Sequence, residues 1–379
     1  MKRVCLVVST LLTAKILLLD QIAALSRDNT VVLAANAKDP DALRRLNLDA
    51  AVIFMPIERK ISPVRDLWAL MHLLIFFRRQ HFDVVHSFTP KVGILAMVAA
   101  YLARVPIRIH TFTGQTWATR KGLARSFLRA LDKFTASLAT NVLVDGRSQR
   151  EFLIQDAVVS AAKSRVLKIT SHCSVDGERF RPNEKMRRSV RATLGIADDA
   201  VVFLYVGRLN LEKGLLDLAA AFAELAASDP YAHLLIVGPD EDGLRRPMEE
   251  LLSRFAERVN WVGFTTSPES YMAAADVFCL PSYREGFGQV LIEASAAGIP
   301  VIATRIYGVK DAVVEGKTGL LYPPGDATTL CERMKTLASA PAFRRELGNA
   351  GRARVLQEFA REDLARALVE YYASLTAKV

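Results

Sequence analysis

The sequence predicts an α/β protein made of two doubly wound parallel-sheet domains, and three observations carry that prediction. Short, continuously apolar runs alternate with helix-length segments along most of the chain, the pattern of a parallel sheet covered on both faces. The alternation breaks near Cys173–Pro182 and then starts again. At 379 residues the chain is too long for one ordinary core, so two domains of roughly 180 residues each are expected.

In the first half, Val4–Val8, Thr30–Ala34, Ala51–Met55, Val84–His86, Ile107–Thr111 and Asn141–Val144 read as strands. Lys15–Leu25, Val64–Arg79, Val92–Ala103 and Leu123–Leu138 read as the helices between them. In the second half the strands are Val201–Val206, Leu234–Val237, Val259–Phe264, Val277–Leu280 and Val301–Thr304. Leu215–Ala227, Leu244–Glu257, Pro268–Ala275, Gln289–Ala297 and Thr329–Ala338 are its helices. Ala342–Glu358 and Glu362–Leu375 follow the completed second sheet, and the last is long enough to return to the first domain. The expected division is therefore 1–175, 176–360, and a C-terminal helix, 361–379, packing back on the N-terminal domain. Two such domains facing each other leave a cleft at the carboxyl ends of their strands, where ligands bind in doubly wound folds.

Cys5, Cys173, Cys279 and Cys331 are scattered and form no metal-ligand spacing, as expected of free thiols in a reducing compartment. Met1-Lys2-Arg3 precedes the apolar Val4–Val8 without a small-residue cleavage site, so that run is read as a strand rather than a signal peptide. No apolar segment reaches the roughly 20 residues of a membrane span. These features predict a cytoplasmic protein. Residues 1–175 carry 25 Lys and Arg against 12 Asp and Glu, whereas 176–379 carry 25 against 28. A basic half suits nucleic acid, an anionic membrane face or phosphate-bearing substrates.

Two stretches in the second half carry chemistry. After the strand ending at Leu280, Pro281–Gly288 places Glu285 between Pro281 and the glycines Gly286 and Gly288, and the helix that follows holds Glu293. A strand, a glycine loop and a helix start form a phosphate cradle. Carboxylates on either side of it would repel phosphate, so they suit neutral hydroxyl-rich groups, and a diphosphate with such groups at both ends is a nucleotide-sugar. Upstream, Gly207-Arg208-Leu209 closes a strand and Glu212-Lys213-Gly214 opens a helix. Arg208 and Lys213 in that turn supply cations for a diphosphate; otherwise they are solvated loop residues.

Gly-Arg-Leu-x-x-Glu-Lys-Gly followed by Pro-Ser-Tyr-x-Glu-Gly-Phe-Gly-x-x-x-x-Glu-Ala resembles the retaining glycosyltransferases of family 4, which have the GT-B fold. The resemblance continues through Ala297–Ala303 and Gly316–Asp326 and covers the whole second domain. In the first, Asp83–Lys91 and Arg108–Gly114 resemble a bacterial subgroup that assembles surface or lipid-linked glycans. The resemblance implies that Arg208 and Lys213 neutralise the donor diphosphate, while Glu285 lies against the donor sugar and acts catalytically. It implies that Glu293 takes the ribose hydroxyls, that backbone amides of Gly286, Phe287 and Gly288 reach sugar and phosphate, and that His110 stands near the reacting centre. His86 and Lys91 are acceptor-side candidates. The loop Ser9–Lys15 lacks the glycines that many members carry there, so no donor or acceptor role is transferred to it.

The expected activity is hexosyl or N-acetylhexosaminyl transfer, with retention, to a glycan or polyprenyl-diphosphate-linked acceptor. The donor is a nucleotide-diphosphate sugar, UDP in preference to GDP. No His-x-x-x-His, no clustered Cys and no paired-aspartate motif on a strand end of the first domain is present, so no metal or other cofactor is expected. Lys121, Arg125, Arg129 and Lys133 form a basic helical stripe beside Trp117, Leu123, Phe127 and Leu131, which suits peripheral docking on the anionic inner face of the plasma membrane. The same stripe suits a surface helix with its apolar face in the core. Rival expectations are a nucleotide-sugar epimerase or hydrolase on this scaffold and a basic nucleic-acid-binding protein. The last lacks any zinc finger, helix-turn-helix or aromatic–basic RNA motif, so no nucleic acid is expected.

Overall fold

Strand β1 (Lys2–Thr10) is the axis of the first unit in this computed structural model, which describes residues 1–36, 50–58 and 61–377. With β2 (Asn29–Asn36), β3 (Ala51–Phe54), β4 (Val84–Phe88), β5 (Ile107–Phe112), β6 (Asn141–Val144) and β7 (Ser164–Arg165) it forms a parallel sheet of order β3-β2-β1-β4-β5-β6-β7. Alternation along β1 explains its unbroken apolar run. Cys5 and Val7 enter one core with helices Pro63–Gln80 and Pro90–Leu102, while Val4, Leu6 and Val8 enter another on the opposite face. That second core includes Leu368, Tyr371 and Tyr372 of the last helix, Arg361–Thr376. The first unit is therefore Met1–Cys173 with Arg361–Val379.

The second unit, Ser174–Ala360, repeats the design. Its strands are β8 (Val201–Val206), β9 (Ala232–Val237), β10 (Val259–Val262), β11 (Val277–Leu280), β12 (Val301–Thr304) and β13 (Gly319–Tyr322), parallel in the order β10-β9-β8-β11-β12-β13. The strand order reverses direction between β1 and β4 in the first sheet and between β8 and β11 in the second. Loops diverge at such a point and open a crevice at the strand ends.

Each strand expected from the sequence is present; β7 and β13 were not anticipated. The first has two residues, and the second opens on Gly319, a weak strand former. Helices Arg147–Gln155 and Glu184–Leu194 were also not anticipated, their apolar positions being sparse. The expected Lys15–Leu25 helix starts earlier and is two helices, Leu11–Leu17 and Leu19–Leu25, meeting at Leu18 with φ −126°. Leu244–Glu257 likewise divides into an α-helix, Arg245–Leu251, and a 3-10 stretch, Ser253–Arg258, in which Phe255 leaves helical geometry. Among the described residues no helix is long and apolar enough to cross a membrane, and all four cysteines are buried and unpaired.

Candidate donor site and the histidine cluster

In the second unit the loops after β8 and β11 are pressed together. The first contains a 3-10 turn, Leu211–Lys213, ended by Gly214 at φ +63°. A Cβ on Gly214 would fall 2.1 Å from the Pro281 carbonyl oxygen, so both its left-handed backbone and the close approach require glycine. The Tyr283 N–H donates to the Glu212 carbonyl at 2.9 Å. The Tyr283 hydroxyl donates to Asp217 Oδ2 at 2.6 Å, in the first turn of helix Leu215–Ser228.

Two crossed ion pairs close the same seam. Lys213 Nζ lies 2.5 Å from Glu285 Oε1, with side-chain exposures of 18% and 13%. The preceding residue, Glu212, pairs with Arg284. Ser282 Oγ also donates to Glu285 Oε1, at 2.7 Å, so one oxygen of this carboxylate takes both bonds. Charge-assisted bonds of this kind fix a carboxylate more firmly than a neutral donor would. At the outer end of the β8 loop, Arg208 Nη1 pairs with Glu241 Oε2 at 2.6 Å. The Arg208 carbonyl accepts from the Tyr205 hydroxyl at 2.9 Å.

Gly288, at φ +82°, caps the helix Gln289–Ala296 without any side-chain hydrogen bond, leaving first-turn N–H groups for an anion. Phe287 is buried, its ring 5.6 Å from that of Phe359, so its side chain is packed inside the unit and not offered to a ligand. One turn into the helix, Gln289 Nε2 donates to Glu293 Oε1 at 3.2 Å and to the Ser174 carbonyl at 2.7 Å. The fold thus joins Lys213 with Glu285, runs Gly286–Gly288 on from them, and holds Glu293 on the helix; Arg208 is held separately by Glu241.

In the first unit His110 and His86 are both fully buried, on adjacent strands. His110 Nδ1 lies 2.9 Å from Ser87 Oγ, its ring stands edge-on to Phe112, and its Nε2 has no partner. Burial pushes its pKa down to about 3, against a smaller opposing effect of a hydrogen bond to the Ser87 backbone. His86 is bonded at both nitrogens, to the Tyr372 hydroxyl and to Thr111 Oγ1, each at 2.6 Å. Burial, with the fields of His110 and His172, holds His86 well below the ordinary histidine range. Both of its nitrogens are spent inside the protein, tying the last helix to β4. Lys91 is paired with Asp66 at 2.5 Å, and Asp66 also accepts from the Ser62 N–H.

Several members of these clusters escaped sequence reasoning. Ser282 and Glu212 lie inside the quoted motifs with no role assigned to them, and none is assigned to Arg284 or Glu241. His172 Nδ1 pairs with Asp145 Oδ1 at 2.7 Å, and its Nε2 lies 3.5 Å from Cys173 Sγ. Burial opposes the charged imidazole, but Asp145 and Cys173 outweigh it and hold His172 well above the usual range. No sequence spacing signals a pair joined only by tertiary structure. Trp117, one of the apolar residues beside the basic stripe, is buried and donates to Asp132 at 2.8 Å, as the reading of an apolar face in the core expects for it. Among the described residues, no group of three or more His, Cys, Asp or Glu could hold a metal ion.

The family described as "Glycosyl transferases group 1" matches residues 186–354, and "Glycosyl transferase 4-like domain" matches residues 18–169. The chain is 29% identical over 320 residues to the capsular polysaccharide biosynthesis glycosyltransferase CapM of Staphylococcus aureus, covering 84% of this chain and 83% of CapM. It is 29% identical over 273 residues to the UDP-Gal:alpha-D-GlcNAc-diphosphoundecaprenol alpha-1,3-galactosyltransferase of Escherichia coli, covering 71% and 69%. The solved structure of Anabaena Alr3699/HepE in complex with UDP shares the fold, with a TM-score of 0.81 and 20% identity over 99% of this chain and all of that one.

Proposed function

The chain belongs to the glycosyltransferases, and from that premise we propose that it moves a sugar, with retention, from a UDP-sugar to a hydroxyl of a lipid-linked glycan acceptor. The pairing of Lys213 with Glu285 across the β8–β11 switch point carries this reading. It supports the reading because a cation suited to a diphosphate and a carboxylate suited to sugar hydroxyls then stand together at the place where doubly wound folds bind ligands.

In the reaction the bond between the anomeric carbon and the diphosphate oxygen breaks, and an acceptor oxygen bonds to that carbon as its proton passes to the departing diphosphate. Charge develops on the leaving diphosphate. We assign its stabilisation to Arg208, Lys213 and the N–H groups of Gly286, Phe287 and Gly288, all fixed before the reaction and so needing little reorganisation. Glu285 has Oε1 engaged by Lys213 and Ser282, and Oε2 is assigned to the donor sugar. Glu293 takes the ribose hydroxyls. Acceptor binding is assigned to the first unit, with His110, through its unpartnered Nε2, acting in turnover. Lys91 joins the acceptor side if Asp66 yields it to a phosphate.

Support for UDP comes from the names of the E. coli relative and of the Anabaena complex, and support for a diphosphate-lipid acceptor from the former. The surface of the first unit supports work at the inner face of the plasma membrane. Helix Pro63–Gln80 exposes Val64, Leu67, Trp68, Met71 and Ile75, and helix Gly122–Leu138 exposes Leu123, 90% accessible, with Phe127 and Phe134. Lys121 stands at the start of the second helix and Lys133 on it, while Arg125 and Arg129 share Asp156. Apolar side chains among cations suit an anionic interface. Flotation with liposomes tests this: binding requires anionic lipid and weakens in Leu123→Glu, and indifference to lipid would refute it.

Calorimetry against UDP- and GDP-sugars tests the donor reading. Lys213→Ala and Glu293→Ala weaken donor binding, whereas His110→Ala mainly lowers turnover. Unchanged affinity in both of the first pair contradicts the assignment.

A further inference from the structure

Beyond the donor-binding residues themselves, we propose that Glu241 sets donor affinity by occupying the Arg208 guanidinium in the free protein, in the place of a donor phosphate. The inference rests on the reading of Arg208 as a diphosphate ligand.

Asp240, Glu241 and Asp242 follow one another in the loop after β9, an unfavourable sequence beside a site for a dianion. Two of the three carboxylates are consumed locally. Asp240 accepts from the N–H groups of Leu244 and Arg245, at 2.9 and 3.1 Å, and so starts the next helix. Asp242 accepts from the Leu211 N–H at 3.0 Å. Glu241 instead reaches Arg208, 2.6 Å from Oε2 to Nη1.

Its aim is fixed by the backbone. The Leu209 carbonyl accepts from the N–H groups of Glu241 and Asp242, at 3.0 and 3.3 Å, and the Leu209 N–H donates to the Pro239 carbonyl at 2.9 Å. The β8 and β9 loops are thus hydrogen-bonded to each other, which sets Glu241 beside Arg208. A carboxylate and a phosphate present similar oxygens to a guanidinium. Both partners are part-exposed, at 45% and 31%, so water screens the pair and exchange for phosphate is possible. A donor must displace Glu241 or tolerate its charge, and either lowers affinity. The contact lets Arg208 be ordered yet keeps the nucleotide product from binding too tightly.

The test is titration calorimetry with UDP and with GDP on the full chain. Glu241→Gln, which keeps the size and removes the charge, is expected to tighten binding about two- to fivefold, the scale of an exposed ion pair. The gain shrinks as salt is raised. Arg208→Ala is measured beside it, and Glu241→Ala serves as a second variant. Tightening in the Glu241 variants that disappears in an Arg208→Ala background is the expected result. Weaker or unchanged binding in both Glu241 variants, with Arg208→Ala still impaired, overturns the inference and leaves the donor reading intact. Unchanged affinity in Arg208→Ala removes the donor role of that residue instead.

Discussion

Gly93 lies so close to His110 that a Cβ built on it would stand 2.3 Å from Cε1 of the imidazole. The ring fills the space a side chain would take at the start of helix Pro90–Leu102, with Ser87 on Nδ1 and Phe112 at its edge. Gly93→Ala must push the ring, the helix or both. Overpacking of this kind costs about 1–3 kcal/mol, so its urea midpoint falls. Turnover falls further than that of Gly177→Ala, which meets only the flexible Leu356 side chain. Equal turnover in the two variants would separate His110 from the chemistry.

The crossed pairs Glu212–Arg284 and Lys213–Glu285 predict coupling between neighbouring residues of two loops. Arg284→Ala and Glu212→Ala each weaken UDP binding, and the double variant is no worse than the poorer single one. The exchange Glu212→Arg with Arg284→Glu recovers part of the loss. Coupling of about 0.5–3 kcal/mol is the range for residues in direct contact; additive losses in the cycle would deny the pair a positioning role.

Tyr372→Phe removes the hydroxyl bonded to His86 Nδ1 and leaves a buried nitrogen without a partner. A loss of about 1–3 kcal/mol is expected, read as a lower midpoint in urea. The last helix also becomes more open to proteolysis, because Tyr372 fastens it to β4. An unchanged midpoint would show that His86 finds another partner there.

Acid should destabilise the fold through its two buried neutral histidines, which outnumber Asp132, a carboxyl that burial pushes up to about 6 and that acts in the opposite sense. His86 and His110 are held neutral by burial, the second down to about 3, whereas in the unfolded chain each protonates near 6.5. Below that pH the unfolded state takes up protons that the folded state refuses, so stability is lost as pH falls from about 6.5 towards 3. His172 has the opposite sign. Its raised pKa gives stability fully present below 6.5 and lost as pH rises through its folded value, so it adds no slope in the acid range. The unfolding midpoint therefore falls between pH 6.5 and 5, and His86→Gln falls less steeply. A flat profile would mean the histidines are solvated.

The two sheets were legible in the sequence because their strands are unbroken apolar runs, such as Val201–Val206 and Val277–Leu280, separated by helix-length segments. Lys213, Glu285 and Gly286–Gly288 were legible for a related reason: a short βα loop compresses its chemistry into contiguous residues. Partners contributed by distant segments were not. Nothing in the order of residues sets Glu241 on Arg208, Asp145 on His172, or Tyr372 on His86, since register and loop closure create those contacts. His86 illustrates the limit: a histidine at a strand end reads as a ligand-facing residue until both of its nitrogens are found bonded within the core.

The most direct test of the central claim is a crystal structure of the chain with UDP. The diphosphate should lie on Lys213 and Arg208 beside the N–H groups of Gly286–Gly288, with Glu293 on the ribose hydroxyls and Glu241 released from Arg208. Nucleotide bound away from the β8 and β11 loops, or Glu293 turned from the ribose, would contradict it.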